Sequence, residues 1–339
     1  MKVRLIQAGT GGMGKAWWSG AIKDHPNVEV VALVDINDAP LRDAGEALGV
    51  PAERRYKDLA QAVDAVKADA VLTVTPPPIH VKHAEIAFSH GLHLLTEKPI
   101  GATLADGKRM VALAKEAGKQ LMVAQNYRYG RSMSTLARLV REQPLGPLGH
   151  GHIDFYIPGD FRGSFRQTME QPLLIDMAIH HFDLIRAITG RNITKVTAHT
   201  FKPQWSWFDH HPGLKMLMEL EGGMPFSYSG DWTGRGRCTG WSGAWRLQCE
   251  HGSLEVLHDE SIRSTRNEFW QKDQVSETIP ADESPETGQR ALLSRFVQSV
   301  RTNTPAETNG EDNLWSFAAV SAAHLSAQQG RAVDVAELM

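Results

Sequence analysis

Cysteine is scarce. Cys238 and Cys249, eleven residues apart, are the two present in 339 residues, which excludes a disulfide framework and a zinc knuckle and predicts reduced thiols. Cationic charge is not in surplus, since 36 Lys and Arg stand against 39 Asp and Glu for a formal net charge of -3. A phosphate-tracking protein displaces counterions with a basic excess, so no nucleic-acid partner is expected. Long apolar runs are missing as well, and none approaches the ~20 residues that a membrane helix needs. A soluble protein with no membrane partner follows. Met1 to Ala8 carry Lys2 and Arg4 inside their apolar run and pass straight into a glycine loop, unlike a secretory leader, so a cytoplasmic location is expected. What remains is ordinary globular composition, 42% hydrophobic and 22% charged. At roughly 150 residues per domain the length allows about two domains.

The first third alternates β-branched runs with helix-spaced stretches, the pattern of parallel βαβ units in a doubly wound sheet. Val3 to Ala8, Val28 to Asp35, Ala70 to Val74, His93 to Thr96 and Gln120 to Ala124 predict strands. Met13 to Lys23, Ala39 to Leu48, Tyr56 to Val66, Ile79 to Ser89 and Thr103 to Ala117 predict the helices between them, with Gly49, Gly91 and Gly118 as stops. Beyond residue 125 the texture changes to a helix near Ser132 to Glu142 and then strands with hairpin-like spacing. These strands are Gly149 to Ile157, Ile193 to Phe201, Gly213 to Leu220, Pro225 to Trp232, Trp245 to Glu250 and Gly252 to His258, an antiparallel sheet, before a last helix at Asn313 to Gln329. The expected organisation is an α/β dinucleotide-binding domain over 1–125 and an α+β domain over 126–339.

Gly9-Thr10-Gly11-Gly12-Met13-Gly14 follows a strand and opens a helix. Gly9 permits the tight turn, Gly11 lets a pyrophosphate approach the backbone, and Gly14 lets helix and strand pack closely, while the helix N-terminus offers unpaired N–H donors. Asp35 stands 21 residues after Gly14 at the end of the second strand, where a carboxylate accepts hydrogen bonds from adenosine ribose hydroxyls. Its charge repels a 2′-phosphate, and Ile36 and Asn37 supply no cation, so NAD is favoured over NADP; Arg42 in the next helix is the one group that would weaken this by curling back.

Thr96-Glu97-Lys98-Pro99 lies at the carboxyl end of a strand, the rim where such sheets bind ligands. Together with Thr75-Pro76-Pro77-Pro78-Ile79-His80, Asn126-Tyr127-Arg128-Tyr129 and Asp176-Met177-Ala178-Ile179-His180, it makes the chain resemble the glucose-fructose oxidoreductase, inositol dehydrogenase and MocA family. The resemblance implies a Rossmann domain and a second domain built on a large, open, mostly antiparallel sheet flanked by helices, whose exposed face makes homodimers or homotetramers. It also implies that Lys98 matches the lysine of the family's E-K-P motif, that Asp176 and His180 match its D-x-x-x-H pair, and that the Lys98-Pro99 peptide is a candidate cis bond. With the glycine loop, the positions expected at the cofactor are Gly9, Gly11, Gly12, Met13, Gly14, Asp35, Ile36, Thr75, Pro76, Pro77, His80, Glu97, Lys98 and Asn126.

Residue spacing supports the same centre. Asp176 and His180 are four apart, so on one helix they share a face, joined by Asp183, while Ile175, Ile179 and Phe182 line another. Oxidising a secondary alcohol needs a base for the hydroxyl proton, and His has an ordinary pKa near ~6.5. Lys98 as an ammonium donor stabilises negative charge on the reacting oxygen, and Asp176 orients substrate or imidazole. The expected activity is an NAD-dependent dehydrogenase of a sugar, sugar derivative or cyclitol. Two alternatives are a glycosidase that oxidises its sugar transiently with bound NAD and a non-catalytic NAD-binding regulator. Lys98, Arg128, Asp160, Arg162, Asp176 and His180 are the expected substrate contacts. The two arginines of the loop Gly159 to Arg166 admit an anionic sugar as well as a neutral polyol. His150, His152 and Asp154, and Asp209, His210 and His211, match no zinc-ligand pattern, so no metal is expected. Trp205, Trp207, Trp232, Trp241, Trp245 and Trp270 fall in the second domain, where packing is their expected role.

Overall fold

A computed structural model of the chain describes residues 1–267, 269 and 274–339; Trp270 lies outside the described residues. The chain divides into two compact units, Met1–Tyr129 with Glu286–Leu314, and Gly130–Pro285 with Trp315–Met339.

Unit 1 holds β1 (Val3–Ala8), α1 (Met13–Ala16), β2 (Val28–Val34), α2 (Asp38–Leu48), β3 (Arg55–Tyr56), α3 (Leu59–Ala65), β4 (Ala70–Thr73), α4 (His80–Ser89), β5 (His93–Thr96), α5 (Leu104–Ala117) and β6 (Leu121–Val123). Its strands are parallel in the order β3-β2-β1-β4-β5-β6. The order reverses between β1 and β4, which places the switch-point crevice beyond their carboxyl ends. β4 and β5 are buried at every residue, because helices cover both faces of a parallel sheet. Thr103 opens α5 with a capping box, its hydroxyl accepting from the Asp106 N–H and the Asp106 carboxylate accepting from the Thr103 N–H.

Two features depart from the spacing-based reading. The stretch from Met13 is α-helical only to Ala16 and continues as a π-helical turn, Trp17–Ile22. A helix over Gly288–Thr302, not read from the sequence, belongs to unit 1 and places Leu292, Leu293, Phe296 and Val297 in the core with Val3, Leu5 and Trp17. Each fully buried side chain of this kind contributes about 1.5–3 kcal/mol.

Unit 2 is a mixed sheet of β7 (Leu148–Tyr156), β8 (Ile193–Phe201), β9 (Gly213–Leu220), β10 (Met224–Asp231), β11 (Ala244–Cys249), β12 (Gly252–Val256), β13 (Ile262–Arg266), β14 (Val275–Ile279) and β15 (Val333–Asp334). The order is β14-β13-β12-β11-β7-β10-β9-β8-β15. β7 and β10 pair in parallel and the other pairs are antiparallel. Alternation decides which side is covered. On β9, Leu214, Met216, Met218 and Leu220 are buried while Lys215, Leu217 and Glu219 are exposed. Helices α6 (Arg131–Glu142), α7 (Ala178–Thr189) and part of Gly310–Gln329 complete the unit.

The Asp176–His180 segment is not one regular helix. Asp176 sits in a π-helical turn, Leu173–Met177, and His180 follows in α7. A π turn takes more residues per turn than an α-helix, which breaks the simple four-residue face. Residues Ala178 to Arg186 of α7 are all buried, so Asp183 belongs to no exposed polar stripe; it accepts a hydrogen bond from the Ser316 hydroxyl at 3.0 Å in the core. Among the described residues no helix is long and apolar enough to cross a membrane.

Candidate active site

The glycine loop is shaped by close backbone approach. A Cβ at Gly9, where φ is +90°, would lie 2.2 Å from the Val74 carbonyl oxygen, and one at Gly14 would lie 2.3 Å from the Gly9 carbonyl oxygen. At Gly12 a Cβ would meet no atom within 4 Å, and at Gly11 only Pro40, at 3.5 Å. The outer side of the loop is therefore open backbone, a cradle that fits the pyrophosphate of NAD. Asp35 caps this cradle. Its Oδ2 accepts from the Thr10 N–H (2.8 Å), the Thr10 hydroxyl (3.0 Å) and the Gly11 N–H (3.3 Å), while Oδ1 accepts from the Asn37 N–H (2.8 Å). Burial pushes the Asp35 pKa up, but the hydrogen bonds from Thr10, Asn37 and Gly11 outweigh it and hold the carboxyl below its ordinary range.

Arg42 lies beside Asp43 at 3.5 Å. A cation reaches the end of β2 by another route: Lys57, just past β3, donates to the Ile36 carbonyl at 3.2 Å and is ion-paired with Asp38. Sequence reading missed it because Lys57 is brought there by the β2–β3 pairing, 21 residues from Ile36. Ile36 itself is 82% exposed.

Lys98 follows β5 in a loop fixed on both flanks. The Glu97 N–H donates to the Thr73 carbonyl at 2.9 Å. The Glu97 carboxylate accepts from the Trp17 indole N–H at 2.6 Å through Oε1 and from the Lys98 N–H at 3.0 Å through Oε2. On the other flank, the fully buried His80 ring lies 3.1 Å from the Pro99 carbonyl oxygen and 2.8 Å from that of Thr75. Burial pushes the His80 imidazole below its ordinary pKa, against the opposing pull of the Thr75, Ile100 and Pro99 backbone groups. The Lys98-Pro99 peptide is cis. Unit 1 thus gathers the glycine loop, Asp35, Thr75, Pro76, Pro77, His80, Glu97 and Lys98 at the carboxyl ends of its strands. Trp17 is the member of this cluster that local spacing did not announce.

In unit 2, the Asp176 Oδ2 accepts from the Arg166 Nε at 2.6 Å, and His180 is 7% exposed on α7. Arg166 comes from the loop after β7, and its guanidinium carbon lies 5.2 Å from the Phe161 ring centre and 4.6 Å from that of Phe165. Phe161 packs in turn on buried Trp232, ring centres 4.8 Å apart. Asp160 and Arg162 of the same loop pair with each other at 2.6 Å, largely exposed, and the guanidinium holds the Asp160 carboxyl at about 2. Asn126 and Arg128 lie in the short 3-10 turn Asn126–Tyr129 of unit 1. Arg128 donates to the Glu307 carbonyl at 3.1 Å and to Asp312 at 2.8 Å.

The remaining histidines and tryptophans sort by burial. His152 contacts Asp154 at 3.0 Å and the Ser227 hydroxyl at 2.7 Å on the sheet. Among the described residues no three His, Cys, Asp or Glu side chains are grouped to hold a metal. Trp232 and Trp245 are core residues, whereas Trp205 and Trp241 are 52% and 47% exposed.

Comparison with known proteins gives the lineage. Residues 3–125 match a model described as "Oxidoreductase family, NAD-binding Rossmann fold", and residues 133–255 match the "GFO/IDH/MocA C-terminal domain". An uncharacterised protein of Sinorhizobium fredii is 31% identical, with 100% of this chain and 97% of the relative covered. The D-apiose dehydrogenase of Paraburkholderia graminis is 28% identical over 94% of this chain and 86% of its own. A solved oxidoreductase from Agrobacterium radiobacter, in complex with NAD+, L-tartaric acid and magnesium, superposes with a TM-score of 0.89 at 21% identity, covering 100% of both chains. With a dinucleotide cradle, the E-K-P loop and both domain matches in one chain, this protein belongs to the Gfo/Idh/MocA family of NAD-dependent oxidoreductases.

Proposed function

We propose that the chain is an NAD-dependent dehydrogenase that oxidises a secondary alcohol of a sugar, sugar derivative or cyclitol. The observation that carries this reading is the clamped Lys98 loop on the same sheet rim as the dinucleotide cradle. Unit 1 takes the role of dinucleotide-binding domain and unit 2 that of substrate domain.

NAD, held by Gly9 to Gly14 and Asp35 with Ile36 offering an apolar surface, supplies the hydride acceptor. Lys98 donates a hydrogen bond to the reacting oxygen and stabilises charge that develops on it. His180 accepts the hydroxyl proton as general base. Asp176, oriented by Arg166, positions the substrate hydroxyl. A relative named for oxidation of D-apiose supports the sugar class. For assembly we propose a homodimer or homotetramer through the exposed sheet face of unit 2, where Leu217 is 66% exposed; sedimentation velocity that finds only monomers would reject it.

A panel of neutral and acidic sugars and inositols, read by reduced-nicotinamide absorbance, tests the function. Net NADH is expected with at least one of them, and His180→Ala is expected to lower turnover by about 100-fold or more, the usual scale for loss of a general base. Absence of NADH throughout, or wild-type turnover in the variant, would overturn the reading.

A further inference from the structure

The loop after β7 holds an arginine with unspent hydrogen-bonding capacity. Arg166 spends Nε on Asp176, while among the described residues Nη1 and Nη2 donate to no acceptor. Its side chain is 26% exposed and that of Asp176 14%. The guanidinium lies over Phe161 and Phe165, and Phe161 is anchored on Trp232. A guanidinium cannot be deprotonated and presents its donors in a fixed planar fork. Here the Nε edge and both ring contacts fix the plane, and the Nη edge is left for a ligand oxygen.

The chemistry of that oxygen follows from Asp176. The Arg166 charge is already balanced at 2.6 Å, so a ligand carboxylate drawn to Nη would be repelled by the Asp176 carboxylate beside it. A hydroxyl is both donor and acceptor: it accepts from Nη and donates to Asp176, whose two oxygens have about four acceptor sites between them. Accordingly, and resting on the dehydrogenase reading above, we propose that Arg166 and Asp176 form a hydroxyl-recognition pair that selects an uncharged polyhydroxylated substrate over an acidic one. Arg166 is then a substrate-binding residue, and the more exposed Asp160–Arg162 pair of the same loop is not needed for that selection.

Steady-state kinetics of the NAD-loaded enzyme with myo-inositol, D-glucose and D-glucuronate, for wild type and Arg166→Lys, test this. Lysine keeps a cation beside Asp176 and loses the fork, so a residue that merely held Asp176 in place would be rescued by it. The expected result is a preference for a neutral substrate, whose KM rises by about tenfold or more in Arg166→Lys, with NADH binding and melting temperature kept. If that variant does not fold, Arg166→Gln, which removes the cation as well as the fork, is read instead: a KM rise with turnover kept supports the pair, and an unchanged KM or a fall in turnover alone overturns it. An unchanged KM, or a wild-type preference for glucuronate, overturns the recognition pair and leaves the dehydrogenase reading standing. No turnover of any of the three or of the wider panel removes the dehydrogenase reading, and the pair falls with it.

Discussion

A carboxylate has about four acceptor sites, and Asp35 spends five contacts on its own protein, from Thr10, Gly11 and Asn37. It therefore holds the glycine loop in its cradle shape, and with the ribose contact proposed for it its removal has two costs. Asp35→Ala is expected to weaken NADH binding by about tenfold or more, since a hydrogen bond to a charged group contributes about 1.5–3 kcal/mol. Unchanged affinity in a fluorescence titration would refute the assignment. Asp35 was legible because strand, loop and acid follow one another at fixed spacing. Arg166 was visible only as one of two loop arginines, and Arg162 was the one expected to contact substrate; ring contacts and the bond to Asp176 single out Arg166 instead, and such contacts have no local sequence signature.

Short elements carry the next level. The parallel strands of unit 1 were readable from β-branched runs bounded by polar turns, and β1 and β5 begin and end where the composition says. The two π-helical turns were not, because apolar spacing in Trp17–Ile22 and Leu173–Met177 satisfies an α-helical period almost as well. The first of them presents the Trp17 indole to Glu97, 80 residues away. Trp17→Phe keeps most of the buried ring and removes one donor from the flank of Lys98. Turnover is expected to fall by about tenfold while NADH affinity stays within about twofold, because the lost bond is to a carboxylate that fixes the Lys98 backbone. Equal losses in both quantities would mean that Trp17 serves the cradle as a whole.

At the scale of the whole molecule, the helix Gly288–Thr302 illustrates what a linear reading omits: its apolar face is plain, but nothing local says that it joins the core of unit 1. Buried histidines set a further property. His83 and His93 in unit 1 and His181 in unit 2 are pushed by burial from 6.5 down to about 4, with His80 and Lys82 adding to the effect at His83 and Lys119 at His93. Between those two values the unfolded chain binds these protons and the folded chain does not, so stability is full above the upper value and is lost on acidification toward the lower. Each contributes at most about 3 kcal/mol. Denaturant unfolding followed from neutral pH to about pH 4 is expected to lose stability steadily, and a flat profile would contradict neutral burial.

In the proposed function, Lys98, Asp176 and His180 serve oxidation of a carbinol with NAD as acceptor. The most direct measurement takes the preferred substrate labelled with deuterium at the oxidised carbon and weighs the NADH formed. The label is expected in the reduced nicotinamide; label retained in the sugar or released to solvent would rule out hydride transfer from that carbon.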